Sequence, residues 1–178
     1  MSATASIKPV RVLGIDPGSR FLGYGIVTKR GNQLTPEIYG TLRVNLKLET
    51  HQRLQSIYEG VSELLTAYRP DHVAIEKVFF AKDATAALKL GQARGVTLLS
   101  VAQSGATLFE YSPNEVKRAV VGYGHADKDQ IAKMVTLILK IKEFETSDTS
   151  DALAIAICHL NSYVYRERMT QTNTGVGF

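Results

Sequence analysis

Hydrophobic positions along this chain switch between two spacings, and each switch predicts an element. Residues 11–16 (Arg-Val-Leu-Gly-Ile-Asp) form a short apolar run ending on an aspartate, the pattern of a strand buried on both faces. Pro17-Gly18 turns the chain, and 22–28 (Leu-Gly-Tyr-Gly-Ile-Val-Thr) predict a second strand in hairpin relation to the first. A third strand is expected at about 37–44. The spacing then becomes helical, with apolar residues at 54, 57, 58, 61, 64, 65 and 68, until Arg69-Pro70-Asp71 ends the helix. A strand at 72–76 follows, and then a long helix at about 82–103, interrupted by Gly91 and Gly95. Each glycine costs about 1 kcal/mol relative to Ala, so a second backbone is expected to pass close by. A strand at 107–111 leads into Ser112-Pro113-Asn114-Glu115, a capping box that opens a helix to about Val121. Asp127 caps another helix, and the last is expected over about 148–166.

Three meandering strands, a helix and two further strands interleaved with helices predict an α/β fold. The sheet is mixed and five-stranded, an antiparallel three-strand meander plus parallel strands, with helices on both faces. One domain is expected over 10–168, with a flexible segment at 1–9 and a polar, disordered tail at 169–178.

Four carboxylates stand where this pattern does not ask for them. Asp16 ends the first strand, and Glu76 ends Val-Ala-Ile at the fourth. Asp148 and Asp151 open the last helix three residues apart, which stacks them on one face. Each has an ordinary alternative. Asp16 could cap the Pro-Gly turn. Glu76 could pair with Lys77 or Lys82, since a buried lone glutamate costs several kcal/mol. Asp148 and Asp151 could serve only the helix dipole. Gathered in one place, the four would build an all-oxygen site of formal charge −4, which calls for divalent cations. The small residues of Gly23-Tyr24-Gly25 are expected to let a phosphate backbone approach Asp16, and Ala-Leu-Ala-Ile-Ala-Ile (152–157) to let the last helix sit close to the sheet.

Composition narrows the partners. The 178 residues carry 21 Lys and Arg against 17 Asp and Glu; with four acids neutralised by metal, the cations exceed the remaining acids by eight. A basic surface around a metal-filled acidic pocket suits a polyanion. One cysteine, Cys158, excludes an internal disulfide and is expected in the core; four scattered histidines and no cysteine cluster argue against zinc. No apolar run reaches the ~18–20 residues of a membrane span, and Met1 to Pro9 lacks a signal-peptide core, so a cytoplasmic location is expected.

The chain resembles the RuvC family of Holliday-junction resolvases, within the RNase H-like superfamily. The resemblance rests on Leu-Gly-Ile-Asp-Pro-Gly-Ser-Arg (13–20), Gly-Tyr-Gly (23–25), Ala-Ile-Glu (74–76), Phe79 through Ala81-Lys82, Ala-Leu-Lys-Leu-Gly-Gln-Ala-Arg-Gly-Val (87–96) and Asp-Ala-Leu-Ala-Ile-Ala (151–156). It implies Asp16, Glu76, Asp148 and Asp151 as metal ligands for two Mg²⁺, with Mn²⁺ a substitute. It also implies Lys117 and Lys128 as lysines near the scissile phosphate, and Phe79, or Phe80 beside it, as an aromatic contact to bases. The implied activity is a structure-selective endonuclease that resolves four-way DNA junctions by paired symmetric nicks, in recombination and repair. The implied assembly is a homodimer, with the RuvA–RuvB branch-migration complex as a further partner. Lys82, Lys89, Arg94, Arg118 and Lys133 are candidates to track phosphates, or plain solvated helix residues. The helix at 82–103 is the candidate dimer interface; the competing use of its glycines is packing on its own sheet.

Two other nucleic-acid readings compete: an RNase H-like nuclease acting on RNA or RNA–DNA hybrid, and a non-catalytic junction-binding module. An actin-like nucleotide binder would also open on a strand ending in Asp-x-Gly, but no second such motif follows.

Overall fold

The computed structural model describes residues 8–77 and 83–173, with side chains through Tyr163. Phe79, Phe80 and Lys82, expected to meet DNA, lie outside the described residues. The elements follow the order β1 (Val10–Asp16), β2 (Phe21–Arg30), β3 (Gln33–Arg43), α1 (Thr50–Tyr68), β4 (His72–Glu76), α2 (Ala84–Ser104), β5 (Thr107–Tyr111), α3 (Pro113–Val121), α4 (Lys128–Leu139) and α5 (Ser147–Asn173).

The sheet is five-stranded in the order β3-β2-β1-β4-β5. β1 pairs antiparallel with β2, and β2 with β3, while β1–β4 and β4–β5 are parallel. The mixed sheet expected from the sequence is therefore present. One apolar cluster joins the sheet to α3, α4 and α5 through residues such as Val12, Val116, Val135 and Ile155. A second joins the opposite face to α1 and α2 through Leu13, Ile57, Val61 and Val101. Cys158 is buried, as its apolar surroundings suggested.

Two boundaries differ from expectation. β3 begins at Gln33, because Gly31 takes a left-handed φ of +59° and closes a tight hairpin. The polar run with Pro36 hid this stretch. The register shifts at Ile26/Val27, and β3 is an edge strand, where proline and a bulge are both tolerated. The last helix continues to Asn173, past the expected end near 166 and into the segment expected as a disordered tail.

Glycines set the distance between α5 and the sheet. A Cβ on Gly14 would lie 2.1 Å from the Ala152 carbonyl oxygen, and one on Gly25 would lie 2.5 Å from Leu153 Cδ2. The small residues of β1 and β2 thus make room for a helix backbone. The expectation that Gly23 and Gly25 admit a phosphate backbone is corrected: α5 already fills that space.

Candidate active site

Asp16 and Glu76 end two neighbouring parallel strands. Ile15 pairs with Ile75 in the β1–β4 ladder, so the next residues, Asp16 and Glu76, stand side by side. Both project to the face that α5 covers, because Asp16 lies opposite Gly23 and Glu76 opposite the fully buried Tyr111. The first turns of α5 cross this end of the sheet and bring Asp148 and Asp151 over it.

Three hydroxyls fix that end of α5. Thr41 on β3 is 2.5 Å from the Thr146 hydroxyl and 2.9 Å from that of Thr149. The Thr149 N–H donates to the Thr146 hydroxyl at 3.4 Å, so Thr146 takes the capping position and neither aspartate is needed there.

Asp16, Glu76, Asp151, Lys117 and Lys128 line one cavity of about 350 Å³, walled by Val116, Ile131, Ala154 and Ile155. Asp148 stands at its margin, where its charge still acts on both Asp16 and Lys128. The Asp16 carboxyl is pushed up to about 8, first by burial and then by the charges of Asp151, Glu76 and Asp148, with Lys128 pulling it down. Burial, then Asp151, also raises Glu76, against the lysines Lys128 and Lys117. Lys128 Nζ is 3.2 Å from Asp151 Oδ2, and that carboxylate raises the ammonium's pKa. Burial first, and the neighbouring acids after it, therefore favour a protonated Asp16 at neutral pH in the metal-free fold. Among the described residues no three acids or histidines are drawn together into a ready metal cage. The donor set nonetheless fits hard divalent ions: every candidate ligand is a carboxylate, and cations would relieve the repulsion that raises Asp16.

Other expected contacts fall elsewhere. Arg94 does not line this cavity; its guanidinium pairs with Glu110 on β5. Arg118 is exposed on α3, and its Nε donates to the Asn114 carbonyl at 3.4 Å. Gly91 and Gly95 do not pack on their own sheet: no described atom comes within 4 Å of a Cβ at either position.

Two of the four histidines, His72 and His159, meet in the fold. His159 on α5 is fully buried; its Nε2 is 2.9 Å from His72 Nδ1 on β4, and its Nδ1 is 2.7 Å from the Tyr111 hydroxyl on β5. This chain of bonds ties the helix carrying Asp151 to the strands beside Glu76. Sequence reading passed over it, because a histidine within Ala-Ile-Cys-His-Leu looks like any core residue.

The family model for crossover junction endodeoxyribonuclease RuvC matches residues 12–159. The chain belongs to the RuvC family. The RuvC of Geobacter sulfurreducens is 49% identical over 157 residues, covering 88% of this chain and 96% of that protein. The RuvC of Brucella anthropi is 50% identical over 152 residues, covering 85% and 88%. Among solved structures, Thermus thermophilus RuvC in complex with Holliday junction substrate superposes with a TM-score of 0.82 at 35% identity, covering 86% of this chain and 94% of that one. The RuvC match takes in β2 to β5 and most of β1, and the RNase H-like architecture follows from it. No described helix is long and apolar enough to cross a membrane.

Proposed function

We propose that this protein resolves four-way DNA junctions by paired symmetric nicks, as a divalent-metal-dependent RuvC-family endonuclease. The observation that carries the reading is the shared cavity: Asp16, Glu76 and Asp151, with Asp148 at its margin, face two lysines beneath an otherwise apolar wall. Two Mg²⁺ ions held by these four acids, with Mn²⁺ as a substitute, would lower the pKa of a water and neutralise charge on the leaving oxygen. The chain's own residues do the rest. Asp16 and Glu76 are held rigidly at strand ends, while α5 sets the separation of Asp148 and Asp151 from them. Ion binding would strip the proton from Asp16 and loosen the hold of Asp151 on Lys128. That ammonium, with Lys117 across the cavity, is then placed to offset charge gathering on the phosphate.

A junction with approximate two-fold symmetry calls for two sites related by a two-fold axis, which a homodimer supplies. The α2 face supports this part of the proposal. Leu88 is 64% and Leu99 50% exposed, and Gly91 and Gly95 between them leave the helix backbone open to a partner helix. Engagement of a RuvA–RuvB motor rests on the family relationship alone, as does a cytoplasmic location.

The test incubates the purified protein with a synthetic four-way junction, a matched linear duplex and an RNA–DNA hybrid, each with and without Mg²⁺. Paired, ligatable nicks in the junction alone, only with metal, are expected. Equal cutting of the hybrid would favour an RNase H-like activity instead, and tight junction binding with no cutting in any divalent metal would favour a binding module.

A further inference from the structure

We propose that Arg20, Arg53 and Lys89 form a second phosphate-binding pocket, which grips the DNA backbone a few nucleotides from the cut. The three cations line a cavity of about 360 Å³, together with the hydroxyl-bearing Ser19 and Thr85 and a single carboxylate, Asp83. That carboxylate is already engaged as the α2 cap, accepting from the Thr85 and Ala86 N–H groups at 3.0 and 3.2 Å. None of the three cations forms an ion pair among the described residues. The Nε of Arg53 is buried with no hydrogen-bond partner, so its guanidinium is not spent on an acceptor of the fold at that atom. A phosphate in this cavity meets the Arg53 guanidinium together with two further cations that stand ready for its charge.

The pocket's place in the fold says which phosphate. Arg20 follows Asp16 by four residues, a stretch that spans at most roughly 14 Å. Its carbonyl is held by the Val44 N–H at 2.9 Å, which anchors the turn. Arg53 lies in the first turn of α1 and Lys89 on α2, so the pocket sits on the α1–α2 side of the sheet end, whereas Asp16 faces α5. A strand rising about 3.4 Å per nucleotide, with its scissile phosphate at Asp16, passes this pocket within roughly four nucleotides. The inference rests on the reading of the protein as a DNA nuclease.

The test measures four-way junction affinity against salt, in Ca²⁺ to suppress cutting, for the wild type, Arg53→Gln and Lys89→Gln. Each lost phosphate contact should make the slope of log affinity on log salt shallower by about 0.9. Junctions carrying a neutral methylphosphonate at successive positions near the cut should show one position that weakens the wild type and leaves Arg53→Gln unaffected. Unchanged slopes and identical methylphosphonate profiles overturn the pocket. If Arg53→Gln does not fold, Lys89→Gln, altered on an exposed helix face, decides by the same readouts. Should the wild type prefer another nucleic acid, the functional reading fails while the same comparison on that ligand still judges the pocket.

Discussion

Gly23 and Asp148 occupy one space: a Cβ on Gly23 would lie 1.9 Å from the Asp148 carbonyl oxygen. The helix that carries two of the four acids is therefore seated by the absence of a side chain opposite Asp16. Gly23→Ala must push the first turn of α5 away from the sheet. Overpacking of this kind costs about 1–3 kcal/mol. Displacing a catalytic group by about 1 Å can cost 10²-fold in rate. The expected outcome is a fold that survives with a lowered melting temperature, and single-turnover junction cleavage reduced by about 10²-fold. Melting curves and cleavage rates on one preparation check both.

Lys128 and Asp151 form an exposed pair that adds little to stability, and the role proposed for it is in the chemistry. The lysine side chain is 75% exposed, and exposed pairs contribute about 0–1 kcal/mol. Lys128→Met should leave the melting temperature nearly unchanged. If the ammonium offsets transition-state charge, cleavage of bound junction falls by about 10²–10³-fold, with junction affinity little altered. A rate close to wild type would remove Lys128 from the chemistry.

The raised Asp16 makes stability depend on pH, a dependence that bound metal should remove. Its carboxyl titrates near 3.8 when unfolded and at about 8 in the metal-free fold, chiefly through burial. The folded state thus holds a proton that the unfolded chain has released, so this contribution is complete below about pH 4 and declines as pH rises toward 8. In EDTA the melting temperature should fall across that window. Saturating Mg²⁺ should abolish the fall, because bound cation takes the place of the proton. Asp16→Asn should flatten the EDTA profile and lose much of the gain from Mg²⁺. Melting curves from pH 5 to 9 give the answer, and a wild-type EDTA profile that rises with pH would contradict it.

His159 links three elements at the back of the site. His159→Ala removes its bonds to His72 and Tyr111 together with a fully buried ring. A loss of about 2–5 kcal/mol is expected, the range for truncating a large core side chain. Urea denaturation measures it. His159→Gln, which keeps a polar side chain of similar reach, should retain more stability than the alanine variant.

Much of the site was legible because charge stands out against an apolar period. Asp16 and Glu76 end runs that would otherwise continue aliphatic, and Asp151 opens a helix of small residues. The strands at 72–76 and 107–111 and the capped helix from Pro113 were equally plain, since turns and caps carry local chemistry. What failed was long-range. Gly23 and Gly25 announce that something approaches, but only the fold shows that α5 does so rather than DNA. Arg94 looks like a free cation until β5 brings Glu110 beside it. Arg53, within a polar stretch of α1, carries no local sign that its Nε is buried, and His72 lies 87 residues from the His159 nitrogen it meets.

The central claim is that Asp16, Glu76, Asp148 and Asp151 hold divalent ions together. Anomalous diffraction from crystals grown with Mn²⁺ and an uncleavable four-way junction tests it most directly. The account predicts anomalous peaks between these four carboxylates, with Lys128 released from Asp151. Peaks located elsewhere, or Asp151 still paired with Lys128 while Mn²⁺ is bound at another place, would contradict it.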